Sequence, residues 1–227
     1  RQHHAVLELQ ATKMELHMNS RYAKASLLIV DVQKDFCPGG ALPVPRGDEV
    51  VPVINALMKE FGSVVATQDW HPPNHVSFAS THAGKAPFDT VMVNGIEQLL
   101  WPDHCVQGSS GAALHPDLDE SRLHLIFRKG LRPDLDSYSA FFENDRRTPT
   151  GLASYLREIC VDTLCVCGLA ADVCVFYSAM DAVRLGFETQ VIEDAVRGVD
   201  VPAGNVSRTR NKMKGAGIRL LRSEDMV

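Results

Sequence analysis

Six short apolar runs, set apart by stretches of helical periodicity, constrain this chain more than any other feature. The runs are Ala25–Val30, Ser63–Thr67, Leu123–Phe127, Thr163–Cys167, Phe187–Ile192 and Ile218–Leu221. They are dominated by Val, Leu and Ile, as strands covered on both faces are. Between them, helical spacing is read over Glu49 to Phe61, over Gly151 to Glu158 with Thr150 as its cap, from Val173 through Val183, and from Pro202 to Lys214. Strands joined through helices pair in parallel, because the crossover returns the chain to the edge it started from. The expected fold is therefore α/β: a three-layer, doubly wound sheet of about six parallel strands with helices on both faces. At 227 residues and 45% hydrophobic content the chain can fill one such core.

Two stretches lie outside the alternation. Residues 1–24 read as a flexible N-terminal arm, its Arg1-Gln-His-His4 start being a trimmed or appended terminus, so the folded domain is set at 25–227. From Pro72 to Ser121 the sequence is irregular and rich in Pro, Gly, His and Ser. A segment that long without a strong period usually serves function.

Composition narrows the partners. The net charge is −5 and no basic run is long enough for a nucleic-acid or membrane surface. No apolar stretch reaches transmembrane length, and no charged-then-apolar leader is seen. A small molecule is the expected partner. The six cysteines, Cys37, Cys105, Cys160, Cys165, Cys167 and Cys174, are dispersed through a mid-sized chain, which argues against a disulfide framework and for a reducing cytoplasm. Sheets of this type commonly self-associate, so a homo-oligomer fits the pattern.

Open parallel sheets bind ligands beyond the carboxyl ends of their strands. Asp31 ends the first run, Asp69 and His71 the second, Lys129 the third, and Cys174 follows the fourth. An aspartate at a strand end is often only a turn former, but four ends carrying reactive groups point to a site. No glycine-rich phosphate loop follows the first strand, so a dinucleotide site is disfavoured. Cys174 opens a helix, where unpaired N–H groups and the positive end of the dipole ease ionisation of a thiol. Asp31 suits a base for that thiol, and Lys129 a cation that steadies both. Asp69 and His71, two apart on extended chain, share a face as metal ligands need. His104 is the best third ligand, with His75, His82, His115 and His124 as rivals. Zinc, iron and manganese all suit such donors.

Taken together, these motifs resemble the nicotinamidase family within the isochorismatase-like cysteine hydrolases. The resemblance rests on Asp31-Val-Gln-Lys-Asp-Phe36, Thr67-Gln-Asp-Trp-His71 with Pro72-Pro-Asn-His-Val-Ser-Phe78, Trp101-Pro-Asp-His-Cys-Val-Gln-Gly108, Arg128-Lys-Gly130, Asp136-Ser-Tyr-Ser-Ala-Phe141 and Gly168-Leu-Ala-Ala-Asp-Val-Cys-Val175. It implies a catalytic triad of Asp31, Lys129 and Cys174, and one divalent metal, zinc first among candidates, on Asp69, His71 and His104. It implies a cis peptide at Leu169–Ala170, with the N–H groups of Ala170 and Cys174 forming an oxyanion hole. Phe36 and Trp101 would flank a pyridine ring, with Leu169, Tyr138 and Phe141 as further substrate contacts. The implied reaction is hydrolysis of nicotinamide to nicotinate and ammonia through a cysteine thioester, in NAD salvage. Rival readings are an isochorismatase or a carbamoyl or ureido amidase, a non-catalytic metal- or ligand-binding protein, and, last, a thiol redox protein, which lacks its Cys-x-x-Cys pair.

Overall fold

The structure is a computed structural model that describes residues 22 and 24–226. The expected N-terminal arm lies almost entirely outside the described residues. Tyr22, assigned to it, instead packs against Phe61 with ring centroids 5.0 Å apart, so the core begins before the first strand.

Six parallel strands form the central sheet: β1 (Ala25–Val30), β2 (Ser63–Asp69), β5 (Leu125–Lys129), β6 (Thr163–Leu169), β7 (Glu188–Arg197) and β8 (Arg219–Leu221). Their order across the sheet is β5-β2-β1-β6-β7-β8. The direction of winding reverses at β1, whose neighbours are β2 and β6. The helices are α1 (Val50–Leu57), α2 (Leu152–Glu158), α3 (Cys174–Arg184) and α4 (Asn205–Gly215). Period-two alternation explains their placement. Leu27 and Ile29 of β1 face a core shared with Val50 and Ile54 of α1. Leu28 and Val30 face the opposite core with Leu152 of α2, Val175 of α3 and Met213 of α4. β1 is fully buried on both faces, which is why its sequence does not alternate.

Three local readings change. The segment 72–121 contains an antiparallel hairpin of β3 (Thr90–Val93) and β4 (Ile96–Leu99), joined by Asn94 and Gly95, both at positive φ. β7 runs on to Arg197, past the charged Glu193 and Asp194 that end its apolar run. Gly151 with φ +104 occupies the cap position of α2, and Thr150 only receives the Leu152 N–H at 3.4 Å.

Candidate active site

Four adjacent strands, β5, β2, β1 and β6, deliver the residues singled out from sequence to one end of the sheet. Asp31 leaves β1 in the left-handed region, with φ +48. Asp69 and Lys129 are paired across the last rung of β2 and β5. Cys174 starts α3, five residues after β6 ends at Leu169. Gly168 permits this convergence. Its φ is +105, and a Cβ there would run into the Val30 carbonyl.

Lys129 organises the site. Its Nζ lies 2.9 Å from Asp31 Oδ2 and 2.5 Å from Asp69 Oδ1, donates to the Ser137 carbonyl at 2.9 Å, and sits 3.6 Å from Cys174 Sγ. All four side chains are buried. Burial opposes charge on the lysine, but Asp31 and Asp69 outweigh it and hold the ammonium well above its ordinary pKa. Burial also raises the Asp31 carboxyl, against the pull of Lys129.

The thiol differs from the sequence expectation. Cys174 does begin a helix, yet its pKa lies well above the ordinary value: burial is the largest cause, Lys129 opposes it, and Asp31 and Asp69 add to it. A helix terminus supplies only a partial charge, too little to offset burial beside two carboxylates. The resting sulfur is a thiol with a carboxylate in reach. The Leu169–Ala170 peptide is cis. Among the described residues, the N–H groups of Ala170 and Cys174 donate to no protein acceptor, so both remain available to a ligand.

Across the cleft, Asp69 Oδ2 stands 3.5 Å from His71 Nε2 and 3.9 Å from His104 Nε2. His71 Nδ1 donates to the Gly130 carbonyl at 2.9 Å and His104 Nδ1 to the Pro102 carbonyl at 2.7 Å. Since a carbonyl only accepts, both Nδ1 atoms carry the proton, and each ring, when neutral, presents its Nε2 lone pair on the Asp69 side. Burial acts against a charged His71, but Asp69 raises its pKa; burial and His71 lower that of His104 to about 4. The field that draws a proton onto His71 is the field a cation would meet, so this donor set fits a divalent metal. His71, His75 and Asp136 form a second cluster of donor atoms within 4.8 Å of one another. His75 stacks on His71 with centroids 4.0 Å apart, and its Nε2 is buried without a partner. The other rivals are engaged elsewhere, His82 with the Val76 carbonyl, His115 with the Asp117 N–H and His124 with the Val64 N–H.

A cleft of about 390 Å³, part of it open to solvent, joins the two halves. Phe36, Trp101, Tyr138, Ala170 and Cys174 line it together with Asp69, His71 and His104. Leu169 and Phe141 do not. Leu169 is fully buried at the end of β6 beside Gly47. Phe141 stacks on Phe187 in the core beneath α3, with centroids 6.1 Å apart. Sequence reading also passed over residues inside its own motifs. Asp136 lines the cleft. Gln33 clasps the Asp69 backbone, with its Nε2 on the carbonyl and its Oε1 on the N–H, both at 2.8 Å. Gln98 of β4 donates to Asp136 Oδ2 and Tyr138 Oη, and Trp101 Nε1 donates to the same hydroxyl. Only the Asn94-Gly95 turn, a hairpin signal, hinted that this segment returns a wall to the cleft.

Comparisons with known proteins name the family. The isochorismatase domain model matches residues 25–224. The nicotinamidase of Acinetobacter baylyi is 45% identical over 94% of this chain and 99% of its own. The solved nicotinamidase of Acinetobacter baumanii superposes with a TM-score of 0.89, at 46% identity over 92% of this chain and all of the other. The pyrazinamidase of Pyrococcus horikoshii in complex with zinc gives a TM-score of 0.71, at 36% identity over 88% and 99% of the two chains. Identity of this order across nearly the full length of both partners goes well beyond a shared fold, and the chain belongs to the nicotinamidase family of isochorismatase-domain proteins.

Proposed function

We propose that this chain hydrolyses nicotinamide to nicotinate and ammonia, as a step of NAD salvage, with Cys174 as nucleophile. One observation carries the reading: a thiol, a carboxylate and an ammonium meet in a buried cluster beside two unused backbone donors, facing an Asp-His-His set across a cleft lined by Phe36, Trp101 and Tyr138. Asp31 accepts the Cys174 proton, and the thiolate attacks the carboxamide carbon. The N–H groups of Ala170 and Cys174 receive the developing oxyanion; loss of one such donor typically costs about a hundredfold or more in rate. Asp31 passes the proton to the leaving ammonia, and a thioester remains on Cys174. Asp31 then takes a proton from the water that hydrolyses the thioester and returns it to the sulfur. Lys129 keeps its charge throughout and prevents two buried carboxylates from facing each other uncompensated.

Asp69, His71 and His104 would hold a divalent metal, zinc being our choice, and such an ion supplies an anchor and a Lewis acid for a ring nitrogen. Phe36, Trp101 and Tyr138 bound the ring. We assign the protein to the cytoplasm: all six cysteines are free, and no helix among the described residues is long and apolar enough to cross a membrane.

The test is ammonia release from nicotinamide by the purified zinc-loaded protein. Wild type should turn over, and Cys174→Ala should be inactive with an unchanged circular dichroism spectrum. Full activity in the alanine variant would remove Cys174 from the chemistry.

A further inference from the structure

Resting on that reading, we infer that Thr67 is a positioning residue that selects which oxygen of Asp31 takes the thiol proton. The observation is a closed two-bond clamp. Asp31 leaves β1 in the left-handed region, so its N–H no longer follows the strand ladder to β2. The Asp31 N–H is received instead by Thr67 Oγ1 at 3.1 Å. The same hydroxyl donates its one proton to Asp31 Oδ1 at 2.6 Å. Asp31 and Thr67 are both fully buried, so no water competes for either bond.

A hydroxyl has a single proton to give. The backbone N–H of Asp31 is a donor and can only point at a lone pair of Thr67 Oγ1, which directs the hydroxyl proton outward onto Oδ1. Oδ1 is thereby fixed as an acceptor. Oδ2 is placed differently. Lys129 Nζ is 2.9 Å away as an ion pair, but no aligned hydrogen bond reaches Oδ2. It therefore keeps a lone pair free on the side of Lys129, whose Nζ also lies 3.6 Å from Cys174 Sγ. During activation the Sγ–H bond of Cys174 breaks, its electron pair stays on sulfur, and the new O–H bond forms at Oδ2. Thr67 does not line the cleft. It acts through Asp31, by holding the carboxylate plane and reserving one oxygen. Without its hydroxyl the Asp31 N–H is a buried donor with no acceptor, and Oδ1, no longer held as an acceptor, becomes a rival site for the proton.

The experiment compares wild type, Thr67→Val, Thr67→Ser and Thr67→Ala, all zinc-loaded, by steady-state ammonia release from nicotinamide. Valine keeps the shape and removes the hydroxyl; serine restores it. Thr67→Val should lower kcat tenfold or more while KM changes less than twofold and zinc stays at the wild-type content per chain. Thr67→Ser should return kcat to within about threefold of wild type. If Thr67→Val does not fold, Thr67→Ala takes its place with the same expected split. The proposal is overturned if the hydroxyl-free variant keeps kcat within twofold, if KM rises as much as kcat falls, or if the folded serine variant is as slow as the valine one. A wild-type protein that releases no ammonia overturns the functional reading and this inference with it, whereas an active wild type with an equally active valine variant overturns this inference alone.

Discussion

A Lys129→Met substitution keeps the length and apolar stem of the side chain and removes its charge from between two buried carboxylates. At an effective dielectric constant of about 20, an ion pair at the observed 2.9 Å is worth about 6 kcal/mol and one at 2.5 Å about 7 kcal/mol. The loss in stability is smaller, because methionine has no ammonium to desolvate and a stranded carboxyl can take a proton. Breaking a buried pair from one side commonly costs about 3–5 kcal/mol, and that is the deficit expected at pH 8. The pH dependence follows from the proton. Without the lysine, the native pKa of Asp69 rises above the unfolded value of about 3.9 and that of Asp31, already raised by burial, climbs further. Over the interval between the unfolded and native values, the native state holds protons that the unfolded chain has lost, so unfolding free energy falls as pH rises. Urea denaturation at pH 5 and pH 8 should therefore show a deficit that is small in acid and reaches its full size at pH 8, with ammonia release abolished at both. A deficit equal at the two pH values, or below about 1 kcal/mol at pH 8, would refute the view of Lys129 as the counter-charge of both carboxylates.

Three further outcomes are expected. Burial raises the Glu143 carboxyl to about 7 from an ordinary 4.5, and its Oε2 has no partner. Wild type should lose more stability than Glu143→Gln as pH rises from about 4.5 to about 7, a difference on the order of 1–2 kcal/mol after discounting for solvent screening, read by chemical denaturation. Gly168→Ala should cost about 2–3 kcal/mol in the same assay and lower kcat, since the methyl meets the Val30 carbonyl just before Asp31. Phe141→Leu should cost about 1 kcal/mol of stability and leave KM for nicotinamide within twofold, because its ring stacks on Phe187 outside the cleft.

The sheet and the residues at its strand ends were legible because burial on both faces imprints continuous apolar runs, and parallel pairing brings the ends of those runs together. β1 and β6 are buried along nearly their whole length, and both stand out in sequence. The β3–β4 hairpin is half-exposed and its strands have four residues each, too short for alternation to rise above chance. The placement of Phe141 was beyond reach for a different reason. Aromatic residues in an irregular loop have no period, so nothing local separates a ring that lines a cleft from one that fills a core. The reversed thiol had the same origin: the helix start is written in the sequence, but the burial and the Asp31 and Asp69 carboxylates that outweigh it come together only in the fold, the two carboxylates lying more than a hundred positions before Cys174. Thr67 and Gln33 were visible as members of motifs, while their hydrogen bonds to Asp31 and Asp69 arise only from strand register.

The strand order has a consequence for the way this protein acquires its activity. Lys129 lies on an edge strand, 60 residues from Asp69 and 45 from Cys174, and the four contributing strands are side by side in the sheet. Asp31, Lys129 and Cys174 are far apart in the chain, so the loops between them must close against their own entropy before the three meet. A chain in which β1 has paired with β2 but β5 has not yet joined β2 has no cation beside its carboxylates. Competence thus requires the β5–β2, β2–β1 and β1–β6 pairings together, and a nascent or nicked chain that exposes Cys174 before they form presents an ordinary thiol, without the base and counter-charge that would make it reactive.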